Sequence, residues 1–264
     1  MENDKIRFQL QDGIAVITMD HQKNLNAVDE PMIDALMEKL DECDQDEKVR
    51  VIVLRGEGKA FSAGGDISYF KKQIQESGRV TLDTMITKSG QLIGKMKRLK
   101  KMIIGCVNGP AAGAGAVLAY ACDFTFCSDR SKFLHSFVNL GLVPDFGGVY
   151  LMSRIIGINE TLRLCALGEG LSAAEAEKLG LVYKVTSAEA LEEEVQAFAK
   201  RLAAGPTIAY ENLKKQLYEA NFTGYEAFLR ECEVPTEISC TDSEDFQEAV
   251  KAFIAKQPIV FRGK

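Results

Sequence analysis

Two glycine- and alanine-rich turns, each placed behind a strand-like run, restrict this chain more than any other feature. The first is Phe61-Ser-Ala-Gly-Gly-Asp-Ile67, after Val49-Arg-Val-Ile-Val-Leu54. The second is Asn108-Gly-Pro-Ala-Ala-Gly-Ala-Gly-Ala-Val117, after Ile103-Ile-Gly-Cys-Val107, and it opens a helix. Side chains this small let a ligand lie against the main chain, and the N–H groups of a helix start are unpaired with the positive end of the dipole behind them. Together the turns suit an anion or oxyanion hole, whereas either alone serves equally well for close helix–strand packing. Neither fits a P-loop or a dinucleotide fingerprint, because no Gly-Lys-Ser/Thr follows and the glycine spacing differs.

The rest of the chain reads as a frame for these turns. Ile6, Phe8 and Leu10 alternate up to Asp12-Gly13, and Ile14-Ala-Val-Ile-Thr-Met19 follows, which predicts a hairpin. Met32, Ile33, Leu36, Met37 and Leu40 recur at helical spacing behind Pro31. Short strands are expected at 124–126, around Phe133 and at 182–185, with helices at 157–167 and 172–179. Ser172-Ala-Ala-Glu175 is a capping-box pattern for the latter. This order predicts an α/β fold, with a core over 1–200 and a helical C-terminal region over 201–264.

Composition narrows the function classes. Lys+Arg 32 against Asp+Glu 38 gives a net charge of −6, which offers a polyanion no attraction and argues against nucleic-acid binding. No apolar run of about 18 residues suggests a membrane span, and the acidic start lacks a signal-peptide core, so a cytoplasmic location is expected. The seven cysteines are odd in number and sit mostly in apolar contexts, as small hydrophobes do in a reducing space. With two histidines and no zinc-like spacing, no metal site is expected, and chemistry falls to carboxylates or the backbone.

An ordered set of segments resembles the crotonase (enoyl-CoA hydratase/isomerase) superfamily: Asn24-Leu-Asn-Ala27, Ala60 to Ile67, Val107 to Gly115, Cys122-Asp123, Gly141-Leu-Val-Pro-Asp-Phe-Gly-Gly148, Ala173 to Val185 and Phe253 to Phe261. The resemblance implies a spiral of ββα turns around an acyl-CoA thioester site, with a helical C-terminal region used in trimerisation and a homotrimer or a hexamer of two trimers. It implies no cofactor beyond the coenzyme A of the substrate. The thioester oxygen would be held by the main-chain N–H groups of Gly65 and Ala114. Asn24, Leu25, Ala27, Ala63, Asp66 and Ile67 would wall the adenine and pantetheine groove, and Lys256 corresponds to a C-terminal lysine that reaches CoA.

The reaction turns on the base. Hydratases of the family use two glutamates to orient a water; at those positions this chain has Val117 and Phe137, which cannot activate one. Asp145 stands instead where double-bond-shifting members carry their catalytic aspartate. One carboxylate can take a proton from one carbon and return it to another, so the resemblance implies an enoyl-CoA isomerase. A hydratase with atypical acid/base residues and a non-catalytic CoA-binding homologue are the alternatives. Asp145 also suits a helix N-cap, since Pro-Asp-x-Gly is a turn and cap sequence. His135, beside Phe133 and Phe137, reads as a packing residue.

Overall fold

In the computed structural model, which describes residues 5–264, the hairpin forms as expected. Strands β1 (Ile6–Gln11) and β2 (Ile14–Met19) pair antiparallel across Asp12 and Gly13, whose φ values of 53° and 78° belong to the mirror-image turn that matches strand twist. The other strands are β3 (Val51–Gly56), β4 (Met102–Val107), β5 (Ala111–Ala112), β6 (Phe124–Ser128), β7 (Lys132–Leu134), β8 (Gly170–Ser172) and β9 (Lys184–Thr186). The main sheet runs β1-β2-β3-β4-β6-β9, parallel from β2 onward; a small second sheet runs β5-β7-β8.

The helices are α1 (Glu30–Gln45), α2 (Ile67–Ser77), α3 (Asp83–Arg98), α4 (Ala114–Ala121), α5 (Gly148–Ile155), α6 (Gly157–Leu167), α7 (Ala173–Lys178), α8 (Leu191–Ala203), α9 (Thr207–Asn221), α10 (Tyr225–Phe228), α11 (Val234–Asp242) and α12 (Glu244–Ile254). A π-helical turn, Leu229–Glu233, joins α10 to α11. Local chemistry sets several starts. Asp29 accepts from Met32 N at α1, with Pro31 in the first turn, and the Ser172/Glu175 capping box opens α7 as its sequence predicts.

Both faces of the main sheet are covered at its centre, which is why residues 51–54 of β3 and Met102–Val107 of β4 read as unbroken apolar runs. Ile17, Met19, Ile52, Leu54 and Ile103 enter the larger core with α1, α3 and α4. Ile14, Val51, Val53, Ile104 and Phe126 meet Leu191, Val195, Ala199 and Leu202 of α8 on the other face. Beyond α8 the chain is helical: α9 and α11 pack on α3, and α12 lies across α2 and the Ser136–Leu140 turn. No helix among the described residues is long and apolar enough to cross a membrane.

Candidate active site

The two small-residue turns meet. Ser62 and Ala111 form a parallel bridge, with Ala112 N donating to Ser62 O at 2.9 Å, and Gly113 N donates to Leu134 O at 2.8 Å, tying the second turn to β7. Fully buried Asn26 fixes the first turn from below, its Nδ2 donating to Glu57 O and Ala60 O at 2.9 Å each. Approach is so close that a Cβ at Gly64, where φ is +87°, would lie 2.6 Å from Ala112 O. Gly64→Ala is therefore expected to lower stability by about 2–3 kcal/mol, measured by denaturant unfolding, by forcing the turns apart.

This packing leaves two donors free. Neither Gly65 N nor Ala114 N has a hydrogen-bond acceptor among the described residues, and both residues line one cavity of about 260 Å³. Ala114 is the first residue of α4, so its N–H belongs to the unpaired helix start. The cavity wall is otherwise mostly apolar, with Phe70, Met85, Phe137 and Leu142 from the core side and Phe253 and Ile259 from the C-terminal segment.

Asp145 is the sole titratable side chain among the described residues that line this cavity. It sits in a tight turn in which Gly148 N donates to Asp145 O at 2.8 Å, and the next two residues, Phe146 and Gly147, have φ of 57° and 68°. A buried phenylalanine in the left-handed region marks a backbone held in place by its surroundings. The helix cap of α5 is Gly147, with no side-chain cap bond, so Asp145 does not serve as that cap. Its Oδ1 is buried without a partner, and burial pushes the carboxyl up to about 7.

Two further acids close around this turn, and the motif reading had passed over both. Gly147 N donates to Glu233 Oε1 at 2.9 Å, and Val143 N donates to Glu237 Oε2 at 3.2 Å. Both glutamates are buried. A signal was present: Tyr225, Leu229, Glu233, Glu237 and Thr241 recur every four residues, and all are buried.

The structure distributes the other expected residues unevenly. Ala63, Ile67 and Phe137 line the cavity with Gly65, Ala114 and Asp145. Asn24, Leu25, Ala27 and Asp66 do not line it but adjoin it: Asn24 Nδ2 donates to Asp66 Oδ2 at 2.9 Å, and Ala63 N donates to Leu25 O at 2.9 Å. Asp66 also caps α2 through Ser68 N, and Ala27 is buried beneath. Val117 lies behind the wall, since α4 is buried all round and Val117 Cγ2 is 3.0 Å from where a Cβ on Gly148 would stand. Lys256 is exposed in the turn between Phe253 and Ile259. His135 is buried away from the cavity, bonded to Tyr120 Oη and Glu169 O, and burial holds its pKa down.

Comparison with known proteins places this geometry among relatives. The family model described as enoyl-CoA hydratase/isomerase matches residues 9–264. The chain is 30% identical over 264 residues, the whole of both proteins, to trans-2-decenoyl-[acyl-carrier-protein] isomerase of Streptococcus mutans. It is 31% identical over 261 residues, 98% of each, to 1,2-epoxyphenylacetyl-CoA isomerase of Escherichia coli. Among solved structures, an enoyl-CoA hydratase from Mycobacterium avium subsp. paratuberculosis superposes with a TM-score of 0.88 at 29% identity, covering 98% of both chains. The α/β architecture with its C-terminal helices is thus the crotonase fold of these neighbours.

Proposed function

Because the chain belongs to the enoyl-CoA hydratase/isomerase family, we propose that it is an enoyl-thioester isomerase in which Asp145 carries the proton. Asp145 removes a proton from one end of the allylic system, the electron pair moves into a dienolate, and the same carboxyl returns a proton at the other end. The N–H groups of Gly65 and Ala114 hold the thioester oxygen as charge accumulates there; one such donor is worth about 2.7–4 kcal/mol in other enzymes. The reaction moves one proton and needs no cofactor beyond the thioester carrier. The observation that supports this reading most is a cavity with two free N–H donors and a single titratable side chain. Hydration is disfavoured because Phe137 and Val117 stand at the positions of the hydratase glutamates, leaving one carboxyl where the family's hydratases use two.

The carrier is coenzyme A or an acyl carrier protein, the latter because a relative that matches the entire chain bears that name. The adenine and pantetheine groove runs along Asn24, Leu25, Ala63 and Ile67, with buried Ala27 and Asp66 supporting it from beneath and the exposed Lys256 as a charge for phosphate. A cytoplasmic homotrimer, or a hexamer of two trimers, belongs to the same reading and is tested by sedimentation.

The deciding experiment supplies 2-enoyl and 3-enoyl thioesters of both carriers in deuterated water. A shifted double bond with little 3-hydroxyacyl product is expected; hydration as the main reaction, or no turnover on either carrier, overturns the proposal. The pH dependence follows from the base. Asp145 must be ionised to accept a proton, so kcat/KM should rise as pH increases through about 7.

A further inference from the structure

Three buried carboxyls crowd one short turn, and only Asp145 lines the cavity. Glu233 and Glu237 come from a segment almost ninety residues further along the chain, yet their hydrogen bonds land on Gly147 and Val143, two residues to either side of Asp145. Each acid keeps one oxygen buried and unpaired: Oδ1 of Asp145, Oε2 of Glu233 and Oε1 of Glu237. Glu233 ends the π-helical turn, an irregularity that often marks functional sites because it re-aims side chains. An acid placed in an apolar interior for packing alone would be replaced at no cost by an apolar residue. Here both carboxyls instead grip the backbone of the catalytic turn.

Among the described residues the surroundings supply no counter-charge. The charges acting on Glu233 and Glu237 are those of the other carboxyls, and none is positive. On the packed helices, Lys88, Lys95 and Arg98 of α3 pair with Asp34, Asp41 and Glu226, and Lys251 of α12 pairs with Glu248. Arg79 pairs with Asp242 at the end of α11, and Asp245 of α12 accepts from Arg262 N and Gly263 N. The remaining titratable groups facing the glutamates are Tyr225 of α10 and Cys240 of α11. Burial pushes both up, so both are neutral where the enzyme works.

We propose that Glu233 and Glu237 are positioning residues for Asp145: their oxygens clamp both sides of its turn, and when they ionise beside Asp145 the repulsion among the buried charges outweighs the stronger acceptor bonds, spreads the turn and ends activity on the alkaline side. This rests on the isomerase reading for its kinetic part. Burial, reinforced by the Asp145 charge, raises Glu233 to about 8 and Glu237 to about 9, above Asp145 at about 7. The three acids therefore share a single charge between the first ionisation and the second. Further ionisation places two and then three like charges in a buried region without a cation.

The linkage has a definite sign. An acid whose folded pKa is raised contributes stability that is full below its unfolded value and is lost as pH rises toward the folded one. For these glutamates that interval runs from the ordinary carboxylate range up to about 8 and about 9.

The test compares wild type with the double variant Glu233→Gln/Glu237→Gln, in which each amide oxygen still accepts the same backbone N–H but cannot ionise. Two measurements are made from about pH 6 to about pH 10: thermal melting without substrate, and kcat/KM for the double-bond shift. Wild-type kcat/KM should fall about tenfold or more between about pH 7.5 and about pH 9.5, and the double variant should lack that limb. Wild-type melting temperature should fall with pH relative to the double variant. Glu233→Leu/Glu237→Leu, which removes the acceptors, should lower kcat with little change in KM, because the base is displaced and the acyl wall is kept. Equal melting profiles, or an alkaline limb that persists in the double glutamine variant, overturn the clamp. A melting difference without any double-bond shift upholds the clamp's ionisation and overturns the isomerase reading instead.

Discussion

Asp145→Asn is expected to abolish double-bond migration, with kcat reduced on the order of 10⁴-fold while the protein stays folded. General acid–base catalysis by a placed side chain contributes about 10²–10⁴-fold, and the upper end is expected because in the proposed mechanism this one group is both acceptor and donor of the proton. Asparagine matches the carboxyl in size, so cavity and turn are retained and thioester binding should survive, which equilibrium titration checks. The folded protein offers a second signature. Burial raises the Asp145 pKa from the carboxylate range to about 7, so the acid costs stability increasingly as pH rises through that interval. Asp145→Asn removes this cost, and the variant should melt above wild type at mildly alkaline pH. Loss of turnover together with a higher melting temperature separates a lost base from a damaged fold; equal turnover in variant and wild type would sink the mechanism.

The second large effect concerns a donor without a side chain. Ala114→Pro deletes one N–H of the oxyanion pair at the position where a helix accepts proline best, its first residue. The preceding residue is Gly113, with φ 49° and ψ −122°, and glycine relaxes the restriction that proline imposes on its predecessor. Removal of one oxyanion donor is expected to lower kcat about 10²–10³-fold. Ala114→Gly keeps the N–H and should recover most of that loss. A proline variant that turns over as fast as the glycine variant, with circular dichroism unchanged in both, would take Ala114 out of the mechanism.

How much of this was readable from the residues differs from element to element. The central parallel strands β3 and β4 stood out because they are buried on both faces and so are apolar almost without interruption, and the hairpin because Asp12-Gly13 can take the left-handed angles its turn requires. The small-residue turns and Asp145 were accessible because backbone approach and turn geometry leave a local signature. Val117 was harder to place. Every residue of α4 is buried, so periodicity carries no information on which side faces the ligand. Glu233 and Glu237 were hidden for the opposite reason. In an amphipathic C-terminal helix a glutamate looks like solvated surface, and only the return of that helix onto Gly147 and Val143 makes it interior. The spacing of four from Tyr225 to Thr241 was the trace they left, and it records burial rather than chemistry.

A cavity that offers one titratable side chain also decides handedness. In the proposed isomerisation the proton that leaves the acyl chain and the proton that arrives pass through the same carboxyl, so both events are expected on the face of the allylic plane turned toward Asp145. The proposed shift is then expected to be suprafacial. A stereospecifically labelled substrate should lose one of its two prochiral hydrogens, and part of that label should travel to the new position instead of washing out into solvent.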